Sequence, residues 1–150
     1  MTSTDGIESI DEVVARLEKV LSALPEADAN RHFLATYLRT TVAVGEAVSS
    51  GAFSDPEWVQ RWDVAFAHLY LDAIEAYLDG SPTPAPWTVA FGTASERPEM
   101  APLRHVLLGI NAHINFDLPQ ALLAVMSDDD FAHPEVVAAR QRDHDAIGDS

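Results

Sequence analysis

The stretch GINAHINFDLP, Gly109 to Pro119, carries Asn111, His113, Asn115 and Asp117 at alternate positions, separated by Ala, Ile and Phe. Three kinds of chemistry fit that pattern. In a helix His113 and Asp117 stand four residues apart on one side. A neutral imidazole and a carboxylate so placed suit a divalent metal ion such as zinc, iron or manganese, with Asp63 or His105 as a third ligand. The same residues suit metal-free acid–base catalysis of a small molecule, through a His113–Asp117 or His113–Asp63 dyad. Asn111 and Asn115 would then hold a substrate carbonyl. The third reading is non-catalytic: a buried hydrogen-bond network that ties helices together, with Asp117 capping a helix restarted at Pro119. A cavity-lining His113 is expected to tolerate replacement by Ala with little loss of stability. All three readings stay open on the sequence.

Strict alternation over Ile110–Leu118 matches a half-buried strand by period, but the rest of the chain offers almost nothing for a strand to pair with. Leu103, Val106, Leu107, Leu108 and Ile110 lead into the stretch at helical spacing, so a helix over Leu103–Met126 is expected. On an α-helix the polar groups fall into two stripes, Arg104, Asn111 and Asn115 in one, and His105, His113, Asp117 and Gln120 in the other. Apolar residues fill every sector between them, which predicts a helix buried on all sides at the centre of the fold, with both stripes turned inward. Pro119 leaves the Asn115 carbonyl without its helical donor, so a kink or restart is expected there.

The segment Asp55–Leu78 must supply the partner surface. Asp55 and Pro56 read as N-cap and first helical residue. Arg61, His68, Asp72, Glu75 and Asp79 form one stripe of charge, most simply a solvated face. Asp63 lies opposite, in line with Phe66 and Tyr70. An acid on the core side of a helix needs a cation, a donor or a metal.

The remaining elements are helical too. Ser9 to Glu12 reads as a capping box before an amphipathic helix ending near Pro25. A second helix runs from Asp28 or Asn30 to about Ser49, where Gly51 closes it, with His32, Arg39 and Glu46 on its polar face. A long Pro-rich connection follows Gly80, with a short helix expected around Trp87–Phe91 whose aromatic rings would act as a lid over the site. A last helix follows His133 and Pro134. The expectation is an all-α, single-domain bundle of about five helices spanning residues 1–150.

Composition narrows the partners. Twenty-four Asp and Glu against nine Lys and Arg give a net charge of −15, which repels nucleic-acid backbones and anionic membrane surfaces. A neutral or cationic small molecule, a metal ion or a protein partner fits that charge. The absence of cysteine removes disulfides, thiolate metal sites and thiol nucleophiles. No Ser sits in a G-x-S-x-G turn and no Gly-rich phosphate loop occurs. With no signal-peptide pattern and no long apolar run, a cytoplasmic location is expected.

The segments FSDPEWVQRWDVAFAHLYLDAI, PAPWTVAF and LRHVLLGINAHINFDLPQAL resemble an uncharacterised bacterial family, a domain of unknown function, over roughly Phe33–Met126. The resemblance implies an all-helical domain and brings no catalytic assignment. It also implies that similar proteins continue beyond the equivalent of Ser150, which would shorten the last helix here and remove any site residues carried on it.

Overall fold

The computed structural model describes residues 9–147, and all their regular structure is helical. Helix α1 (Ile10–Ala23) starts where Ser9 Oγ accepts the Glu12 N–H at 3.1 Å, the first half of the expected capping box. Its Ile10, Val13, Leu17 and Val20 are buried and face α2 (Asn30–Ser50) and α3 (Pro56–Leu78). Gly51, at φ +82°, ends α2 in the left-handed conformation that a Cβ would disfavour. Asp55 caps α3 by accepting the Trp58 N–H at 3.1 Å, and Pro56 opens the first turn as expected. On the outer side of α3 Arg61, Asp72, Glu75 and Asp79 are exposed and His68 partly so, whereas Asp63 is buried among the core residues.

The Pro-rich connection holds a full helix, α4 (Ala85–Glu96), longer than the short helix expected around Trp87–Phe91. Its Trp87 and Phe91 are not a lid. At 1% and 2% exposure they are core, stacked on each other with Phe91 against Tyr77 and Trp87 against Tyr70. The apolar area of a Trp and a Phe is worth more buried against rings than held over a solvent opening.

A continuous rod follows: α5 (Pro102–Ile110), a π-helical turn π1 (Asn111–Asp117) and α6 (Leu118–Val125). Its parts pack on α2, α4 and α3 respectively. The rod is buried on one side only. Leu103, Leu107, Ile110 and Ile114, one line at helical spacing, are 40–65% exposed. The capping box of Ser127 and Asp130 then forms α7 (Asp128–Phe131), which the sequence reading missed, and α8 (Pro134–Ile147) completes the chain. With the rod counted once, seven helices are present among the described residues, against about five expected. None is long and apolar enough to cross a membrane.

Polar ties seat α8. The Asp143 carboxylate, 2% exposed, accepts the N–H of Ser54 at 2.7 Å and of Asp55 at 3.0 Å, donors that the start of α3 leaves free. Arg140 donates to Asp55 at 2.7 Å and lies over the Trp58 ring, 4.9 Å from its centre. The guanidinium holds the Asp55 carboxyl below the usual range.

At the crossing of α5 and α2, the Phe33 ring lies directly against the backbone of Gly109, where a Cβ would overlap the ring. Gly109→Ala should therefore destabilise the protein. Overpacking of about 1–3 kcal/mol outweighs the roughly 0.5–1 kcal/mol that Ala gains over Gly in a helix. Urea denaturation followed by circular dichroism measures the difference, and a more stable Ala variant would contradict the close approach.

Candidate functional site

Pro119 explains why the polar motif takes a wider turn. A proline ring in an α-helix collides with the carbonyl four residues back, here that of Asn115, and donates nothing to it. The backbone widens just before the proline, so that the Leu118 N–H reaches the His113 carbonyl five residues back. The side chain of Gln120 donates to the neighbouring Phe116 carbonyl at 2.9 Å. The expected interruption at Pro119 is thus a π turn inside a continuous rod.

The wider turn lifts Asp117 over His113. His113 Nδ1 lies 2.8 Å from Asp117 Oδ2, and the same oxygen accepts the Trp87 indole N–H at 2.9 Å. Since a carboxylate only accepts, Nδ1 carries the proton and Nε2 is the basic nitrogen. Nε2 is buried with no hydrogen-bond partner. Five rings enclose the imidazole. Phe66 stacks flat on it with centres 3.6 Å apart, Tyr37 meets it edge-on at 4.7 Å, and Phe33, Tyr70 and Trp87 stand at 5.9–6.2 Å. Burial pushes the His113 pKa down, with the Asp117 bond opposing that only in part, so the ring is neutral at pH 7.

The other residues singled out from sequence lie elsewhere. Asn111 and Asn115 are exposed and hydrogen-bonded to each other at 2.7 Å. The inward orientation expected for their stripe fails because only one side of the rod is covered. Asp117 does not cap α6, because its carboxylate is turned to Trp87 and His113. His105 is buried and stacked on His32 at 5.8 Å, beside Asn30 and Phe33. Among the described residues no group of three or more His, Asp or Glu side chains is arranged to hold a metal ion, so His113, Asp117 and Asp63 are not gathered into the three-ligand set anticipated. The physical reason is that Asp117 is engaged by two N–H donors, while Asp63 opens into a cleft that His113 does not line.

That cleft, about 390 Å³, lies between α2, α3, the rod and α8. Tyr37, Trp62, Asp63, Phe66, Ile114, Leu118, His144 and Asp145 are among its walls. Asp63 is 4% exposed, and its Oδ2 has no hydrogen bond. Burial alone pushes its pKa up to about 7. The Tyr37 hydroxyl is likewise buried, and burial, then the Asp63 charge, raise its pKa well above the ordinary tyrosine value, with the Thr41 side chain opposing in part. The cleft therefore holds a carboxyl able to give or take a proton near neutral pH and a phenol that stays a donor. The sequence reading missed Trp62, His144 and Asp145. Trp62 directly precedes Asp63, but nothing in the acidic tail marked α8 as a wall of this cleft.

His113 is thus a packed member of the core. Replacing it by Ala should cost roughly 3 kcal/mol or more, from the space left among five rings and the unpaired Asp117. Trp87→Phe, which removes one donor and keeps a ring, should cost about 1–2 kcal/mol. Chemical denaturation checks both. A near-neutral His113→Ala would restore the cavity-lining expectation.

No curated protein and no solved structure matches the chain. A family model matches residues 10–150, nearly the whole sequence. The chain belongs to DUF5995, a family of unknown function.

Proposed function

We propose that the protein binds a small organic molecule in the Asp63 cleft and exchanges a proton with it, Asp63 being the acid–base group and Tyr37 a hydrogen-bond donor beside it. One observation carries this reading: a carboxyl 4% exposed, with an oxygen lacking any hydrogen bond, in the wall of a cleft of about 390 Å³. A fold gains nothing from such a group. An ionised carboxylate away from water and without a donor is destabilising, and an apolar residue would fill the position better. Groups held at that cost, with a pKa moved toward neutrality, cluster where chemistry is done. The cleft volume falls within the range of small-molecule sites.

The non-catalytic reading fits a different part of the cluster. The hydrogen bonds from Trp87 and His113 to Asp117 satisfy that carboxylate inside the core and hold the π turn against α4. His113 and Asp117 then act at one remove, by holding Phe66 and Tyr37 in the wall that Asp63 shares.

The reading has a thermodynamic signature. A carboxyl whose pKa rises on folding, from 3.8 to about 7, keeps its proton in the folded chain after the unfolded chain has lost it. Its contribution is fully present below about pH 4, and stability falls as pH rises from there to about 7. Three units correspond to at most roughly 4 kcal/mol. Asp63→Asn, which mimics the protonated carboxyl, should match the wild type near pH 4 and exceed it by up to that amount at pH 8. Urea denaturation of both proteins across this range measures the gap. A gap that does not change with pH would show Asp63 to be an ordinary carboxylate and remove the proposal.

A further inference from the structure

We infer that the Asp63 cleft takes an organic ammonium ion with an apolar body, its charged head on the Asp63 carboxylate and its body against Trp62, Phe66 and Tyr37. This deepens the proposed function and rests on it.

The charged and titratable groups of the cleft decide the sign of the ligand. Tyr37 comes from α2, Asp63 from α3, and His144 and Asp145 from α8; among the described residues no Lys or Arg lines the cleft. His144 Nδ1 lies 3.8 Å from an Asp145 oxygen, so its charge when protonated is already matched by a neighbour. An anionic ligand would meet two carboxylates with no cation to offset them. A neutral ligand would leave the Asp63 carboxylate, once ionised above about pH 7, without a counter-charge. A bare metal ion would need further oxygen or nitrogen ligands, and the described residues offer no such group. An ammonium head satisfies Asp63 with one strong, charge-assisted bond.

The walls suit the rest of such a molecule. Trp62 and Phe66 stack on each other with centres 5.3 Å apart, and Tyr37 stands edge-on to Phe66. Both faces of Phe66 are taken, by His113 and by Trp62, so these rings offer the body of the ligand an apolar wall, from which a carboxylate gains nothing. Ile114 and Leu118 complete an apolar lining. The net charge of −15 adds a field that draws cations toward the surface.

Binding an ammonium ion requires Asp63 to be ionised, so affinity should rise with pH until the carboxyl has lost its proton near pH 7.

The test is titration calorimetry of the full chain at pH 8 with benzylammonium, benzyl alcohol and benzoate, three probes of nearly one shape. Benzylammonium should bind about tenfold or more tightly than benzyl alcohol, and benzoate most weakly. At pH 5.5 the benzylammonium affinity should fall by about tenfold or more. Asp63→Asn should abolish the preference for the cation while still binding benzyl alcohol. Asp72→Asn, on the exposed outer side of α3 and away from the cleft, removes one negative charge and should retain it, which separates one buried counter-ion from a general negative field. Equal binding of amine and alcohol, stronger binding of benzoate, or no amine binding at millimolar concentration would overturn the inference. Urea denaturation in the same preparations distinguishes the two failures. If the pH-dependent gap between wild type and Asp63→Asn persists, only the ligand class falls; if it is absent, the acid–base reading falls with it.

Discussion

The Asp117 carboxylate joins parts of the chain that are far apart in sequence. One oxygen takes both the indole N–H of Trp87, from α4, and the ring N–H of His113, one turn earlier in the rod. Those bonds fix the rotation of the π turn, and the π turn sets the direction in which α6 leaves toward α3. They also hold the imidazole flat against Phe66, which stands between His113 and the cleft. A buried carboxylate with two N–H donors is affordable, because each bond to a charged group is worth more than a neutral one.

Asp63 solves the same problem in the opposite way. It sits in the same aromatic interior, one oxygen without any donor, and burial holds its proton on to about pH 7. Two acids thus lie in one core, one satisfied by two N–H donors and one with an oxygen left without a donor. The wall opposite Asp63 is also unlike the rest. Helix α8 is held by Asp143 on two backbone N–H groups and by Arg140 on Asp55 and Trp58, and the one residue of its own that it buries is Asp143. A wall attached by a few polar ties at one place leaves room for a cleft beside it, which a continuous apolar interface would close.

Much of this was legible in the residues. Asp55 and Pro56, Ser9, Gly51 and the apolar stripes marked the helices because capping and periodicity are local. Asp63 stood out because an acid on the apolar side of α3 has few explanations, and its burial bears that out. The i, i+4 pairing of His113 and Asp117 was also readable. What failed was everything that depended on which surfaces neighbours cover. Asn111 and Asn115 were expected inside because apolar residues surround them in sequence, yet Ile110 and Ile114 beside them are themselves 40% and 45% exposed. Trp87 and Phe91 looked like a loop lid, because nothing local shows that α4 folds back over Tyr70 and Tyr77. The place of His144 and Asp145 in the cleft depends on the Asp143 tie, a contact 88–89 residues apart in sequence.

The central claim is that Asp63 is a buried carboxyl held protonated up to neutral pH by its surroundings, and it can be read at one atom. A carbon-13 NMR titration of the aspartate side-chain carboxyls, with Asp63→Asn to identify the resonance, follows its ionisation directly. The account predicts a midpoint near pH 7, set apart from the exposed aspartates. A midpoint near the ordinary value of about 4 would contradict it, because the carboxylate would then have a donor or solvent access that this structure does not give it.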